Sequence, residues 1–167
     1  MTVEDFQAIE NAKVLKKENE VFLRGIRSLD TVQFYATLKQ THEAVFSKAD
    51  CLTCANCCKT APPLITKSDI RRIASHLNIS NKNFERDYVI TDYNGEMSFS
   101  FVPCRFLQND NTCSIYEVRP DACSRYPHTD EKEYALRPKL NVENTIVCPA
   151  AAKILDQLKQ TFYRHDI

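Results

Sequence analysis

Cys51-Leu52-Thr53-Cys54-Ala55-Asn56-Cys57-Cys58 packs four of the chain's eight cysteines into eight residues. No apolar stripe in this stretch asks for cysteine as a small hydrophobe, so packing does not explain it. Thiols this close are either paired as disulfides or deprotonated on metal, and that choice governs the fold around them. The remaining cysteines, Cys104, Cys113, Cys123 and Cys148, are spread over the C-terminal half.

Two-residue gaps between Cys51 and Cys54, and between Cys54 and Cys57, let sulfurs turn toward one point, as in thiolate metal knuckles. Cys58 is an extra donor. In an extended segment adjacent side chains point to opposite sides, so Cys57 and Cys58 are expected to serve different centres, or one of them to be left over. Eight thiolates match two tetrahedral four-cysteine sites. They also match one four-iron cluster with four thiols remaining for a second metal or redox work.

The cysteines outside the cluster have their own logic. Cys104 and Cys113 bracket Gln108-Asn-Asp-Asn-Thr112, whose Asn and Asp residues accept left-handed backbone without glycine. The spacing predicts a short ribbon bringing two ligands together. Cys148 precedes Pro149, which suits the first position of a terminal helix, and an N-cap position stabilises a thiolate. Lys59, Arg105, Arg119 and Arg125 stand beside cysteines and are candidates to offset the excess negative charge of four thiolates on a divalent ion. Among His42, His76, His128 and His165, only His128 lies near a cysteine, as an auxiliary ligand. His42 and His76 read as helix surface or cap residues.

Bulk composition bounds the alternatives. In 167 residues, 43% are hydrophobic and 26% charged, which is ordinary for one globular domain with a helical extension. A net charge of zero removes the electrostatic case for nucleic acid or an anionic membrane. Two glycines, Gly25 and Gly95, exclude a glycine-rich phosphate loop. The N-terminus lacks the basic-then-apolar order of a signal peptide, and no apolar run approaches the roughly 18 residues of a membrane span. A cytoplasmic location is therefore expected, where structural disulfides are rare and metal is the favoured reading. No catalytic motif is recognisable, so the letters leave open whether the protein is an enzyme.

Along the chain, residues 3 to 48 read as helical, with Val3, Phe6 and Ile9, then Phe34, Leu38 and Val45, on helical faces. A break between Arg24 and Asp30 is expected, with Asp30 as N-cap of the second helix. Ala61-Pro62-Pro63-Leu64 is extended. Thr66 or Ser68 caps a helix whose apolar face is Ile70, Ile73, Ala74 and Leu77, and Ser80 caps another through Phe84 and Tyr88. Tyr88–Thr91 and Met97–Val102 flank Asn94-Gly95 as a β-hairpin. Residues 103 to 148 read as cysteine-bearing loops with little core, with Pro120 starting the turn that carries Cys123 and Ile115 and Tyr116 covering the sulfurs. Ala151, Ile154, Leu155, Leu158 and Phe162 mark an amphipathic terminal helix. The fold class is α+β and mostly helical, with a helical extension over 1–48 and a cysteine domain over 49–167.

The cluster, followed by Pro103-Cys-Arg-Phe-Leu-Gln-Asn-Asp-Asn-Thr-Cys113-Ser-Ile-Tyr-Glu-Val-Arg-Pro-Asp-Ala-Cys123-Ser-Arg-Tyr-Pro-His128, resembles the YkgJ-type cysteine-cluster family, described as zinc- or iron-chelating. That resemblance implies a chelating set of Cys51, Cys54, Cys57, Cys58, Cys104, Cys113, Cys123 and Cys148, with zinc first and iron or a [4Fe-4S] cluster second. A glycine common in the family before Cys-Ser-Ile-Tyr is replaced here by Asn111-Thr112, which bears on turn geometry. The pattern is also similar to part of the longer flagellin lysine N-methylase, which implies a redox or methyl-transfer alternative. Metal ions are the expected partners, with a role that is structural, metal-handling or protein-binding. A disulfide-stapled exported domain is the third reading.

Overall fold

A computed structural model describes residues 1–26 and 31–163. In chain order the helices are α1 (Val3–Val14), α2 (Lys16–Gly25), α3 (Thr31–Phe46), α4 (Cys51–Cys54), α5 (Asn56–Thr60), α6 (Lys67–His76), α7 (Asn81–Tyr88), α8 (Asp121–Arg125), α9 (Pro138–Thr145) and α10 (Pro149–Phe162). Strands β1 (Val89–Thr91) and β2 (Met97–Phe99) form the antiparallel sheet. The fold is mostly helical α+β. Its contacts divide into two compact units, Met1–Cys51 with Pro127–Ile167, and Leu52–Tyr126.

The first unit is a helical assembly. Thr2 and Asp5 form a reciprocal capping box that starts α1. The expected uninterrupted helix up to Arg24 is broken at Leu15 (φ −86°, ψ 12°). At the break the packing changes: α1 packs mainly along α10 and also touches α9, whereas α2 packs along α9. Of the residues the periodicity placed on a helical face, Ile9 is buried together with Ala8 and Ala12, whereas Val3 and Phe6 are exposed. Ala8 and Ala12 meet Ala152 of α10, small residues that let helices approach. The main core gathers Phe22 and Leu23 of α2, Phe34, Leu38 and Val45 of α3, Tyr134, Val142 of α9, and Ile154, Leu155 and Leu158 of α10. The predicted cap at Asp30 lies outside the described residues.

The second unit carries most of the cysteines. Thr66 and Asp69 make the capping box of α6, and the Ser80 hydroxyl accepts from Asn83 N to start α7. Ile70, Ile73, Ala74 and Phe84 bury their side chains with Phe99, Phe106 and Ile115. Tyr88 stacks on Phe84 (centroids 4.8 Å apart) and on Phe106 (5.4 Å). The hairpin pairs Val89 with Phe99, Ile90 with Ser98 and Thr91 with Met97. Its strands are shorter than predicted, and Asp92 closes the turn by accepting from Asn94 N and Glu96 N. Gly95 takes φ +82° there. The extended Ala61–Leu64 segment adds an isolated bridge, Leu64 to Ser98, beside β2.

Residues 103 to 148 are better packed than their loop-rich composition predicts. Phe106 and Ile115 are buried in the second unit, and Tyr134, Ala135 and Val142 in the first. Isolated aromatic and aliphatic residues at irregular spacing give no periodic signal, yet each fills a core position.

Candidate metal centre

The Cys51–Cys58 stretch folds as two short helical turns rather than an extended strand. Cys51 and Cys54 bound α4, and α5 begins after Ala55, whose φ of +46° lies in the left-handed region. A buried alanine there is strained relative to glycine. Lys59 N donates to Ala55 O and Ala61 N to Cys57 O, closing the α5 turn. On this turn the Cys57 and Cys58 sulfurs lie 4.0 Å apart. The expectation that adjacency sends them to opposite sides is therefore corrected, because successive residues of a helix are separated by only about 100°.

Cys104 and Cys113 flank a short ribbon of the kind the spacing predicted. Leu107 and Cys113 form an antiparallel bridge, Ser114 N donates to Phe106 O at 2.9 Å, and Gln108 N donates to Thr112 O at 2.8 Å. Asn111, at φ +66°, supplies the left-handed residue of the turn. It thus occupies the conformation a glycine would take. Cys104 N also donates to Cys58 O at 2.8 Å, which ties this ribbon to α5.

Backbone N–H groups aim at the ribbon sulfurs: those of Phe106 and Leu107 at Cys104, and that of Ile115 at Cys113. Such donors favour a sulfur anion. Burial still raises both thiols, and the negative charge of Cys58 raises them further. Cys123, on α8, is pushed up to about 12 by burial first and then by Cys58, Cys104 and Cys113. Cys58 moves the other way, to about 7, through its hydrogen bond with Cys57, against burial and with help from Lys59. Burial, and the charge of Cys58 beside it, raise Cys104, Cys113 and Cys123 together, so the site disfavours several bare anions. A bound cation inverts that logic.

A clamp invisible in the linear reading holds the Cys123 segment. Asp69 is buried, and its Oδ1 accepts from Asp121 N at 3.1 Å and from Arg72 Nη2 at 2.6 Å. Arg72 also donates to Arg119 O at 2.8 Å and to Asp121 Oδ1 at 3.1 Å. Asp69 and Arg72, three apart on α6, were readable as a helical pair. Their partners some fifty residues away were not.

The expected compensating cations divide. Lys59 acts on Cys58 and donates to Cys54 O. Arg119 lowers Cys113 and Cys123 while lying over the Tyr116 ring at 3.8 Å. Arg105 instead sits over Phe101 at 4.0 Å and Tyr88 at 5.3 Å. Arg125 occupies the last turn of α8. Ile115 is buried beside Cys104 and Cys113, whereas Tyr116 is half-exposed.

Cys54, Cys57, Cys58, Cys104, Cys113 and Cys123 belong to the second unit, and Cys51 and Cys148 to the first. Cys148 takes the N-cap position before Pro149 and packs against the helical core. His128 Nδ1 lies 2.7 Å from Glu131, which also pairs with Arg137. His42 Nδ1 lies 2.9 Å from Thr129 Oγ1 and its ring stacks on Phe46. His76 is exposed in the last turn of α6, and His165 lies outside the described residues. Among the described residues, no group of three or more His, Cys, Asp or Glu side chains is already gathered at metal-holding distance. The donor chemistry, sulfur throughout with N–H groups and cations around it, fits zinc or iron.

No described helix is long and apolar enough to cross a membrane. No solved structure matches the chain. Protein MJ0661 of Methanocaldococcus jannaschii is 34% identical over 82 residues, covering 47% of this chain and 44% of that protein. The match therefore spans less than half the length of that relative. The family described as "CxxCxxCC: Putative zinc- or iron-chelating domain" matches residues 50–141. That span takes in Cys51 through Cys123 and exceeds half of the 167 residues, so the chain belongs to the CxxCxxCC family.

Proposed function

We propose that this protein binds zinc or iron through cysteine thiolates, zinc being the first choice. Cys51, Cys54, Cys57, Cys58, Cys104, Cys113, Cys123 and Cys148 form the chelating set. The observation that carries this reading is the approach of α5 and the Cys104–Cys113 ribbon, joined by the Cys104 N to Cys58 O hydrogen bond. Three segments distant in sequence deliver thiols that feel one another's charge, an arrangement a cation stabilises and a metal-free state does not. Bound metal would cross-link these segments and neutralise the sulfur anions. Lys59 and Arg119 would carry part of the residual negative charge. The role that follows is structural, metal-handling or the organising of a surface for a protein partner, in the cytoplasm.

Elemental analysis of protein purified without oxygen tests the reading. Stoichiometric zinc in colourless protein is the expected result. Brown protein containing iron and sulfide would shift the assignment to an iron–sulfur centre, with its redox or methyl-transfer chemistry. Absence of any stoichiometric transition metal, or disulfides joining these positions in freshly isolated protein, would refute it.

A further inference from the structure

Asp69 is a buried carboxylate whose two oxygens serve two distant segments, and the start of α6 needs only one of them. Its Oδ2 accepts from Thr66 N at 2.8 Å and from Thr66 Oγ1 at 2.7 Å, as part of the cap that begins the helix. Its Oδ1 accepts from Asp121 N at 3.1 Å, 52 residues further on. We propose that Asp69 and Arg72 are positioning residues for metal retention: they hold the backbone that leads into Cys123, so losing the pair speeds metal release without removing a ligand. This inference rests on the metal-binding reading above and names two residues outside the cysteine set that govern how long the metal stays.

Two stretches of backbone within the Leu52–Tyr126 unit meet at this pair. The first leaves α5. Ala61 N donates to Cys57 O at 2.9 Å, Phe99 N to Pro63 O at 3.4 Å and Ile65 N to Met97 O at 2.8 Å, so the path from Cys58 to Thr66 is pinned to the hairpin. The second stretch is residues 118 to 121. Arg72 Nε donates to Val118 O at 3.4 Å, and its Nη2 donates to Arg119 O at 2.8 Å, Asp121 Oδ1 at 3.1 Å and Asp69 Oδ1 at 2.6 Å. Ser124 N donates to Pro120 O at 3.0 Å, which carries the fixed segment into the turn of α8 that bears Cys123. One carboxylate–guanidinium pair thus fastens the chain leaving the cysteine cluster to the chain entering Cys123. The Asp69 side chain is 1% exposed, so it depends on these partners rather than on water. A segment already held in place loses less conformational freedom when its thiolate is captured, which favours the bound state. The coupling is reciprocal: the stability that the fixed segment lends to bound metal is returned by metal to the hydrogen bond between Asp69 and Asp121.

The test uses the full chain, loaded anaerobically with zinc or with cobalt(II), whose thiolate-to-metal absorption reports the ligands. Arg72→Ala and Asp69→Asn are expected to take up as many ions as wild type, with the same cobalt spectrum, and to surrender them to chelator about tenfold faster. Arg72→Lys keeps a cation beside Asp69 but cannot fork to the Arg119 carbonyl, and its release rate should lie between. Ser80→Ala weakens the start of α7 in the same unit without touching the pair, so it should lose stability to urea yet release metal at the wild-type rate. Release as fast from Ser80→Ala as from Arg72→Ala overturns the proposal, as does a wild-type rate or a changed cobalt spectrum in Arg72→Ala. Should a variant fail to fold, hydrogen exchange on wild type replaces it. Zinc loading should slow exchange at the Thr66 and Asp121 amides together, since both donate to Asp69, and unchanged exchange at either overturns the proposal. Wild-type protein that takes up neither zinc nor cobalt overturns the metal-binding reading itself, and the proposal with it. Normal uptake with release indifferent to Asp69 and Arg72 overturns only the proposal.

Discussion

Asn111 shows how much a single residue can reveal. Its left-handed backbone was legible because an Asn–Asp–Asn run has few other reasons to sit between two cysteines. Asn111→Gly should leave stability within about 0.5 kcal/mol, whereas Asn111→Val should cost about 1–2 kcal/mol by forcing a β-branched side chain into that region. Urea denaturation of the two variants measures the difference. Ala55 takes a similar conformation, and no letter announced it, since alanine has no preference for positive φ. Asp69 lies between these cases: its first-turn position was readable, its clamp was not. Burial pushes its carboxyl up, but hydrogen bonds from Thr66, Asp121 N and Arg72 prevail and hold it below the ordinary 3.8. A group depressed on folding stabilises the protein above its unfolded pKa and loses that contribution as pH falls through the folded value. Stability should therefore decline below about pH 4 with a slope that Asp69→Asn reduces, as acid titration followed by circular dichroism would record.

At the level of elements, capping chemistry was the reliable guide. Thr66 and Ser80 start α6 and α7 where their side chains predicted, because a cap is a local interaction spanning three residues. The course of α1 and α2 was not local. Whether a helix continues through Leu15 depends on which helices it packs along, and composition is silent on that. The same holds for α5, whose few residues carry no periodicity that separates a turn from a strand. Arg72 belongs to this scale because it joins α6 to the segment entering α8. Arg72→Ala should destabilise the protein by on the order of 2 kcal/mol, since it strands a buried carboxylate and the Arg119 carbonyl. Arg72→Lys should recover only part, because an ammonium cannot fork between acceptors. Urea denaturation gives the energies. Faster alkylation of Cys123 in Arg72→Ala would show that the clamp positions that thiol.

Over the whole molecule, periodicity told which faces are buried but not which segments share a core. Phe34 and Leu38 were assigned to one helical face and Leu155 and Leu158 to another, and the structure joins the two in one cluster. Metal should divide the molecule's behaviour along the same lines. Exhaustive chelation should remove hydrogen-exchange protection from residues 104 to 125, whose ends are held by the proposed ligands. The helices around Phe34, Leu38, Leu155 and Leu158 should keep theirs. Phe84→Ala should cost about 3–5 kcal/mol through the aromatic stack with Tyr88, read by the same exchange experiment in α6 and α7. The order of segments has a temporal meaning as well. The helical unit is assembled from both ends of the sequence, while residues 52 to 126 run without interruption. During synthesis α10 follows both α3 and residues 52 to 126, so α3 waits for its partner while the sulfur-rich stretch is already made and free to collapse. The sulfur-rich stretch is thus complete in sequence before the helical core can close around α10.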